Sequence, residues 1–168
     1  IESDCVNLDQ THAIVRLIRT FMENINSSGL IVTETNLPFH ENLSYFGNSD
    51  EAHAIYNFTL APLIINTLIK GDSTAFRRWS MGMPPAKENN TYINFLATHD
   101  GLGLRPLEGI LNNKDLEVLV SSLKKFGSKF TYRRQNKTSL IYEANISLID
   151  ALSGTVKGKD NLYLDRYL

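Results

Sequence analysis

Apolar positions recur at helical spacing between Asp9 and Asn24, where Ile14, Val15, Leu17, Ile18, Phe21 and Met22 predict an amphipathic helix. Asp9 or Thr11 is the expected N-cap, and Asn26-Ser27-Ser28-Gly29 ends the helix. Leu30 to Thr33 then reads as a short buried strand. It opens into a loop of about fifteen residues, Glu34 to Asn48, rich in Asn, Pro and aromatic side chains. Ala54-Ile55-Tyr56-Asn57-Phe58 is a second strand. Pro62 stands near the start of a helix running to Lys70, where its missing N–H costs little, and Gly71 stops that helix. Asp72 or Ser73 caps another helix, from Thr74 to about Met81. Pro84-Pro85 and Asn89-Asn90 form a loop before a third strand, Thr91 to Ala97.

Strands alternating with helices predict an α/β chain with a parallel sheet built from βαβ units. Asp115 to Phe126 continues the pattern with a helix. Lys129 to Ile141 departs from it as a hairpin, in which Phe130-Thr131-Tyr132 and Leu140-Ile141-Tyr142 flank a polar turn at Gln135-Asn136-Lys137. Ile146 to Leu152 returns to helical spacing. No internal repeat and no low-complexity segment interrupts the series.

Composition narrows the function classes. The 168 residues suit one domain, and 42% hydrophobic with 21% charged residues is an ordinary globular balance. A net charge of −1 gives no broad electrostatic footprint for nucleic acid or anionic lipid, so neither partner is expected. The longest apolar stretch, Leu60 to Ile69, is interrupted by Pro62, Asn66 and Thr67 and is too short to span a bilayer. Ile1-Glu2-Ser3-Asp4 has no secretory-signal pattern, and the single cysteine, Cys5, forms no internal disulfide. A reducing, cytoplasmic setting is the matching expectation. Cys5 beside the first helix reads as a buried, inert thiol. His12, His40, His53 and His99 lack metal-ligand spacing, and no phosphate-cradling glycine loop is present, so neither a metal nor an organic cofactor is expected. Arg77-Arg78-Trp79 reads as a solvated helix face with an aromatic anchor.

Candidate chemistry rests on two acids about sixty-six residues apart, Glu34 and Asp100. Each follows an apolar strand and precedes a polar loop, which is where α/β folds place active sites. Tyr45 and Phe46 in the same loop are expected to desolvate Glu34 in part, suiting it to donate a proton to a leaving oxygen. Asp100 follows His99, and Gly101 and Gly103 permit a tight turn and close approach of a ligand. Two carboxylates at adjacent or next-but-one strand ends fit glycoside chemistry. The plainer alternative is that both runs are turns with capping carboxylates.

Thr33-Glu34-Thr35-Asn36-Leu37-Pro38 and Glu41-Asn42-Leu43-Ser44-Tyr45-Phe46-Gly47 resemble the disaccharide phosphorylase branch of the alpha-amylase clan. That branch includes sucrose, sucrose 6-phosphate and glucosylglycerate phosphorylases. Asp50-Glu51-Ala52-His53, Tyr56-Asn57-Phe58, Phe95 through Pro106, Gln10-Thr11-His12 and Tyr142-Glu143-Ala144-Asn145 extend the likeness over nearly the whole chain. The resemblance implies a retaining glucosyl transfer to phosphate that yields α-glucose 1-phosphate. Glu34 would be its acid/base, Asp100 its transition-state stabiliser and His99 a contact to the sugar ring. Asn36 and Tyr45 would line the substrate site, and Arg105 is the candidate to hold phosphate or an anionic acceptor, since a guanidinium suits phosphate geometry, with a loop salt bridge as the plainer alternative. Partners are then an α-glucoside and phosphate.

Three departures qualify the likeness. Phe39 stands where many relatives have a histidine, with His40 displaced by one, and Ala61 replaces the first of a common proline pair. The nucleophilic aspartate expected after a fourth barrel strand is absent from the 168 residues. The implied fold is therefore a partial (β/α)8 barrel, strands five to seven. Residues 1–128 would supply barrel βα units, 129–145 the hairpin excursion, and 146–168 the approach to an eighth strand, with Asn161 to Leu168 leading into it. Exposed sheet edges would favour self-association. Alone, the chain is expected to be inactive. The alternatives are a non-catalytic carbohydrate-binding or inert fragment, or an α-glucoside hydrolase of the same clan.

Overall fold

The computed structural model describes residues 6–135 and 138–153. The first half comprises α1 (Asp9–Ile25), β1 (Val32–Thr33), α2 (Phe39–Ser44), β2 (Ala54–Tyr56), α3 (Leu60–Lys70), α4 (Thr74–Gly82) and β3 (Thr91–Ile93). Then follow β4 (Leu102–Gly103), a 3-10 turn (Arg105–Leu107), α5 (Asn113–Lys125), β5 (Lys129–Gln135), β6 (Thr138–Asn145) and α6 (Leu148–Ser153). The expectations for Cys5, for Asn136-Lys137 and for Asn161 to Leu168 lie outside the described residues.

β1, β2 and β3 form a parallel sheet in chain order, with Val32 opposite Ala54 and Ala54 opposite Thr91. This is the α/β arrangement that the strand–helix alternation predicts. The second sheet is antiparallel with order β4-β6-β5, and a bulge interrupts β5 between Thr131 and Tyr132. The hairpin was legible in the sequence, but its third strand was not. Leu102 and Gly103, read as the loop after the acid, pair with Ala144 and Glu143.

Several boundaries move, each for a physical reason. Leu30 is 70% exposed and Val32 is also exposed, because β1 is the outer strand of its sheet, so the expected burial fails. β3 stops at Ile93 rather than Ala97. Its neighbour β2 ends at Tyr56 and offers no ladder partner beyond the Tyr56–Ile93 pair. Asp100 therefore sits well past its strand, on a loop. The long loop from Glu34 contains the short helix α2. Leu8, not Asp9 or Thr11, occupies the N-cap of α1. At α4 the Asp72 carboxylate accepts from the Thr74 N–H at 2.9 Å, and Gly71 closes α3 in the left-handed conformation that glycine tolerates.

Two apolar clusters hold the elements together. Leu63 and Ile65 of α3, Trp79 of α4, Leu104, Leu107 and the α5 pair Leu119 and Leu123 form the larger one. An i,i+4 pair lies on one helix face, so α5 turns both leucines inward. The smaller cluster, Leu37, Tyr45, Phe46, Ala52 and Ile55, is built from the chain between β1 and β2 and from β2 itself. Helix α1 docks against this region by its polar side. Arg19 is buried and donates to the Glu51 carbonyl at 2.9 Å, while Ile14, Leu17, Ile18 and Phe21 are more than half exposed. Of the apolar positions expected on α1, Val15 packs against the smaller cluster, but Ile14, Leu17, Ile18 and Phe21 stand in solvent.

Candidate active site

Glu34 follows β1 directly, and its side chain is exposed. The residues after it are firmly held. Thr35 Oγ1 donates to Asn42 Oδ1 at 2.7 Å, Asn42 Nδ2 donates to the Tyr56 carbonyl at 2.7 Å, and the Leu37 N–H donates to the Thr35 carbonyl at 3.0 Å. Tyr45 and Phe46 do not cover Glu34 as expected. Both are buried in the smaller cluster, where the Tyr45 ring lies 4.6 Å from that of His12 and its hydroxyl accepts from the Asn7 N–H at 3.0 Å. A buried phenol needs a polar partner, and Tyr45 finds it at the start of α1.

Asp100 stands on the β3–β4 loop with its side chain about half exposed, and its N–H donates to Thr98 Oγ1 at 3.2 Å. His99 Nε2 is 3.6 Å from Asp100 Oδ2, and the histidine side chain is 82% exposed. Strand β6 backs the acid closely. A Cβ added to Gly101 would stand 2.6 Å from the Ala144 carbonyl oxygen, so the turn requires glycine there. Glu143 of β6 is a second carboxyl near Asp100 that sequence reasoning did not single out. Burial pushes its pKa up, the Asp100 charge adds to that, and the Gly101 N–H opposes it. Its only signal in the sequence was membership of the Tyr142-Glu143-Ala144-Asn145 run.

The Glu34 and Asp100 loops meet through neighbours. The Asn36 amide packs on Gly103, where an added Cβ would lie 2.6 Å from Asn36 Oδ1, and that oxygen is buried without a partner among the described residues. Arg105 Nη2 is 3.9 Å from Glu41 Oε2 of α2, and Arg105 Nε is likewise buried without a partner among the described residues. A cavity of about 530 Å³ is lined by Thr98, His99 and Asp100 together with apolar groups such as Phe58, Phe95 and Leu148. Glu34, Asn36, Tyr45 and Arg105 lie outside it. Among the described residues no group of three or more His, Cys, Asp or Glu could hold a metal ion, and no helix is long and apolar enough to cross a membrane.

No protein-family model matches the chain. Individual proteins do. Glucosylglycerate phosphorylase of Escherichia coli strain K12 is 37% identical over 153 residues, covering 90% of this chain and 27% of that protein. The glucosylglycerate phosphorylase of Allomeiothermus silvanus is 36% identical over 170 residues, covering 100% of this chain and 31% of that protein. The chain is similar to the disaccharide phosphorylase branch of the alpha-amylase clan. Sucrose phosphorylase of Agrobacterium vitis is a more distant relative, 25% identical over 89% of this chain. The crystal structure of sucrose 6F-phosphate phosphorylase from Thermoanaerobacter thermosaccharolyticum superposes with a TM-score of 0.75, covering 91% of this chain and 30% of that one. At 17% identity that likeness speaks to the fold.

The chain thus spans between a quarter and a third of the length of these glucosylglycerate phosphorylases. Two of the departures from the branch now have structural settings. Phe39 packs edge-on to Trp79, with ring centroids 5.7 Å apart, so an aromatic anchor occupies that position while the neighbouring His40 is exposed. Ala61 is buried at the start of α3 and lines the cavity beside Asp100.

Proposed function

We propose that this chain is part of a retaining α-glucoside phosphorylase, a partial (β/α)8 barrel covering strands five to seven. Glu34 serves as general acid/base, and Asp100 stabilises the developing oxocarbenium charge. His99 and Asn36 face the sugar, and Arg105 binds phosphate, which enters as co-substrate without any other cofactor. The observation that carries this reading is the placement of the two acids. They follow the first and third strands of one parallel sheet, on loops that touch through Asn36 and Gly103. A glucosylglycerate-like donor is the favoured substrate, because the relatives that match at 36–37% identity carry that name. The nucleophilic aspartate of a retaining pair would come from outside these 168 residues.

The test is a chimera in which this chain replaces the matching segment of the E. coli glucosylglycerate phosphorylase. Phosphate-dependent release of α-glucose 1-phosphate from glucosylglycerate is the expected activity. Glu34→Gln keeps the shape and removes the proton, so a fall in turnover of about 10²-fold or more is expected. Unchanged turnover in that variant would sink the role of Glu34. Product formation independent of phosphate would show a hydrolase, and sugar binding without turnover would show a non-catalytic module.

A further inference from the structure

Asn42 is only 3% exposed, yet its side chain links two separate elements of the site. Its oxygen accepts the Thr35 hydroxyl and its nitrogen donates to the last carbonyl of β2, both at 2.7 Å. A reversed amide would set oxygen against the Tyr56 carbonyl, so the two bonds fix a single orientation. Thr35 is covalently next to Glu34. The Tyr56 ring packs edge-on to Phe95, at 5.4 Å between centroids, where the chain sets out from β3 toward Asp100. The same helix carries Glu41, the neighbour of Arg105. One buried amide therefore joins the start of the Glu34 loop to the strand end that abuts the Asp100 loop.

We propose that Asn42 is a positioning residue, which clamps Thr35 to the carboxyl end of β2 and so fixes where the Glu34 carboxyl stands relative to the Asp100 loop. The catalytic consequence rests on the acid/base role proposed for Glu34, but the clamp itself does not. A misplacement of a reacting group on the ångström scale costs rate rather than affinity.

Thr35→Val is the mild perturbation, since it keeps the β-branched shape and removes only the donor. Asn42→Leu removes both bonds and carries more risk to folding. In the 168-residue chain, amide exchange at Leu37, whose N–H is held by the Thr35 carbonyl, should quicken about five- to tenfold in Thr35→Val, the scale of one lost hydrogen bond. Exchange at Leu119 and Leu123 should not change. Unaltered exchange at Leu37 would overturn the clamp. In the chimera, Thr35→Val should lower kcat about tenfold while KM for glucosylglycerate stays within about twofold. Loss expressed in KM alone would overturn the positioning role. Glu34→Gln run alongside separates the two ideas. Normal turnover there removes the acid/base reading, whereas an inactive Glu34→Gln beside a fully active Thr35→Val removes the positioning role alone.

Discussion

Replacing Glu51 should expose how α1 is held. The Glu51 carboxylate is buried, with Oε2 2.6 Å from His12 Nδ1 and Oε1 2.6 Å from Arg16 Nη1. Arg19 meets the carbonyl of the same residue, so three side chains of one helix converge on Glu51. Breaking one partner of a buried ion pair costs about 3–5 kcal/mol because the remaining charge is left uncompensated. In Glu51→Ala the Arg16 cation, 43% exposed, recovers water, while His12, 14% exposed, loses a hydrogen-bond partner, so the low end applies. About 3 kcal/mol corresponds to a fall in Tm of roughly 6–12 °C for a chain of this size. Glu51→Gln keeps the volume but presents an N–H to one of its two donors, and should cost about 1–2 kcal/mol. Arg16→Met leaves the buried Glu51 carboxylate with His12 as its remaining side-chain partner and should cost about 3 kcal/mol as well. Thermal and urea unfolding of the 168-residue chain, followed by circular dichroism, reads all three. A Glu51→Ala chain that melts with the parent, or an Arg16→Met chain that loses less than about 1 kcal/mol, would refute the account of α1 docking.

Three further outcomes are expected. The Ile31 N–H donates to His53 Nδ1 at 2.9 Å, and burial, then the Arg19 charge, lowers the His53 pKa from its ordinary 6.5. The unfolded chain therefore takes up the proton first, so stability is present above pH 6.5 and is lost as pH falls toward the folded value. Urea midpoints between about pH 8 and pH 5 should fall less in His53→Asn than in the parent. Gly101→Ala sets a Cβ against a backbone carbonyl and should cost about 1–3 kcal/mol. Gly103→Ala, which meets only the movable end of Asn36, should cost less, and equal losses in urea titrations would contradict that ranking. The exposed Ile14, Leu17, Ile18 and Phe21 stripe should drive self-association in sedimentation velocity. Leu17→Lys with Phe21→Glu should return a monomer, and a parent chain monomeric at every concentration would refute the idea.

What the sequence revealed follows the range of each signal. Helices α1, α3 and α5 carry two or more turns of apolar periodicity, and glycine and asparagine mark their ends, so local pattern suffices. The parallel sheet followed from strand–helix alternation. Strand β4 was missed because a two-residue strand beside two glycines has no period, and its partners lie on β6 far along the chain. The inward polar face of α1 was missed for a related reason. Nothing adjacent to Glu51 shows that its carboxylate is buried, and the side chains that make burial tolerable, Arg16 and His12, are 35 and 39 positions away. The resemblance puts Tyr45 in the substrate site, but the ring is buried in the smaller cluster. Its hydroxyl partner, 38 positions away at Asn7, decides otherwise. Glu34 and Asp100 were found as acids near strand ends, but the amides that hold their loops, above all Asn42, carry no mark in the sequence beyond their abundance.

Burial in this chain is concentrated on the groups that hold the loops. Leu37 and Asn42 are enclosed, whereas Glu34 and the side chain of His99 stand in solvent and Asp100 is half exposed. A carboxylic acid that must donate a proton near neutral pH needs apolar surroundings to keep it protonated, and a charge-stabilising carboxylate acts strongly only where water is excluded. Neither condition is met on the open side of the site. The 168 residues alone should therefore release no α-glucose 1-phosphate from glucosylglycerate and phosphate, even at high protein concentration. Adding the remaining segments of a relative in trans should restore turnover only if they cover both acids. Phosphorolysis by the unaided chain, abolished by Glu34→Gln, would show that an exposed acid suffices here and would overturn this argument.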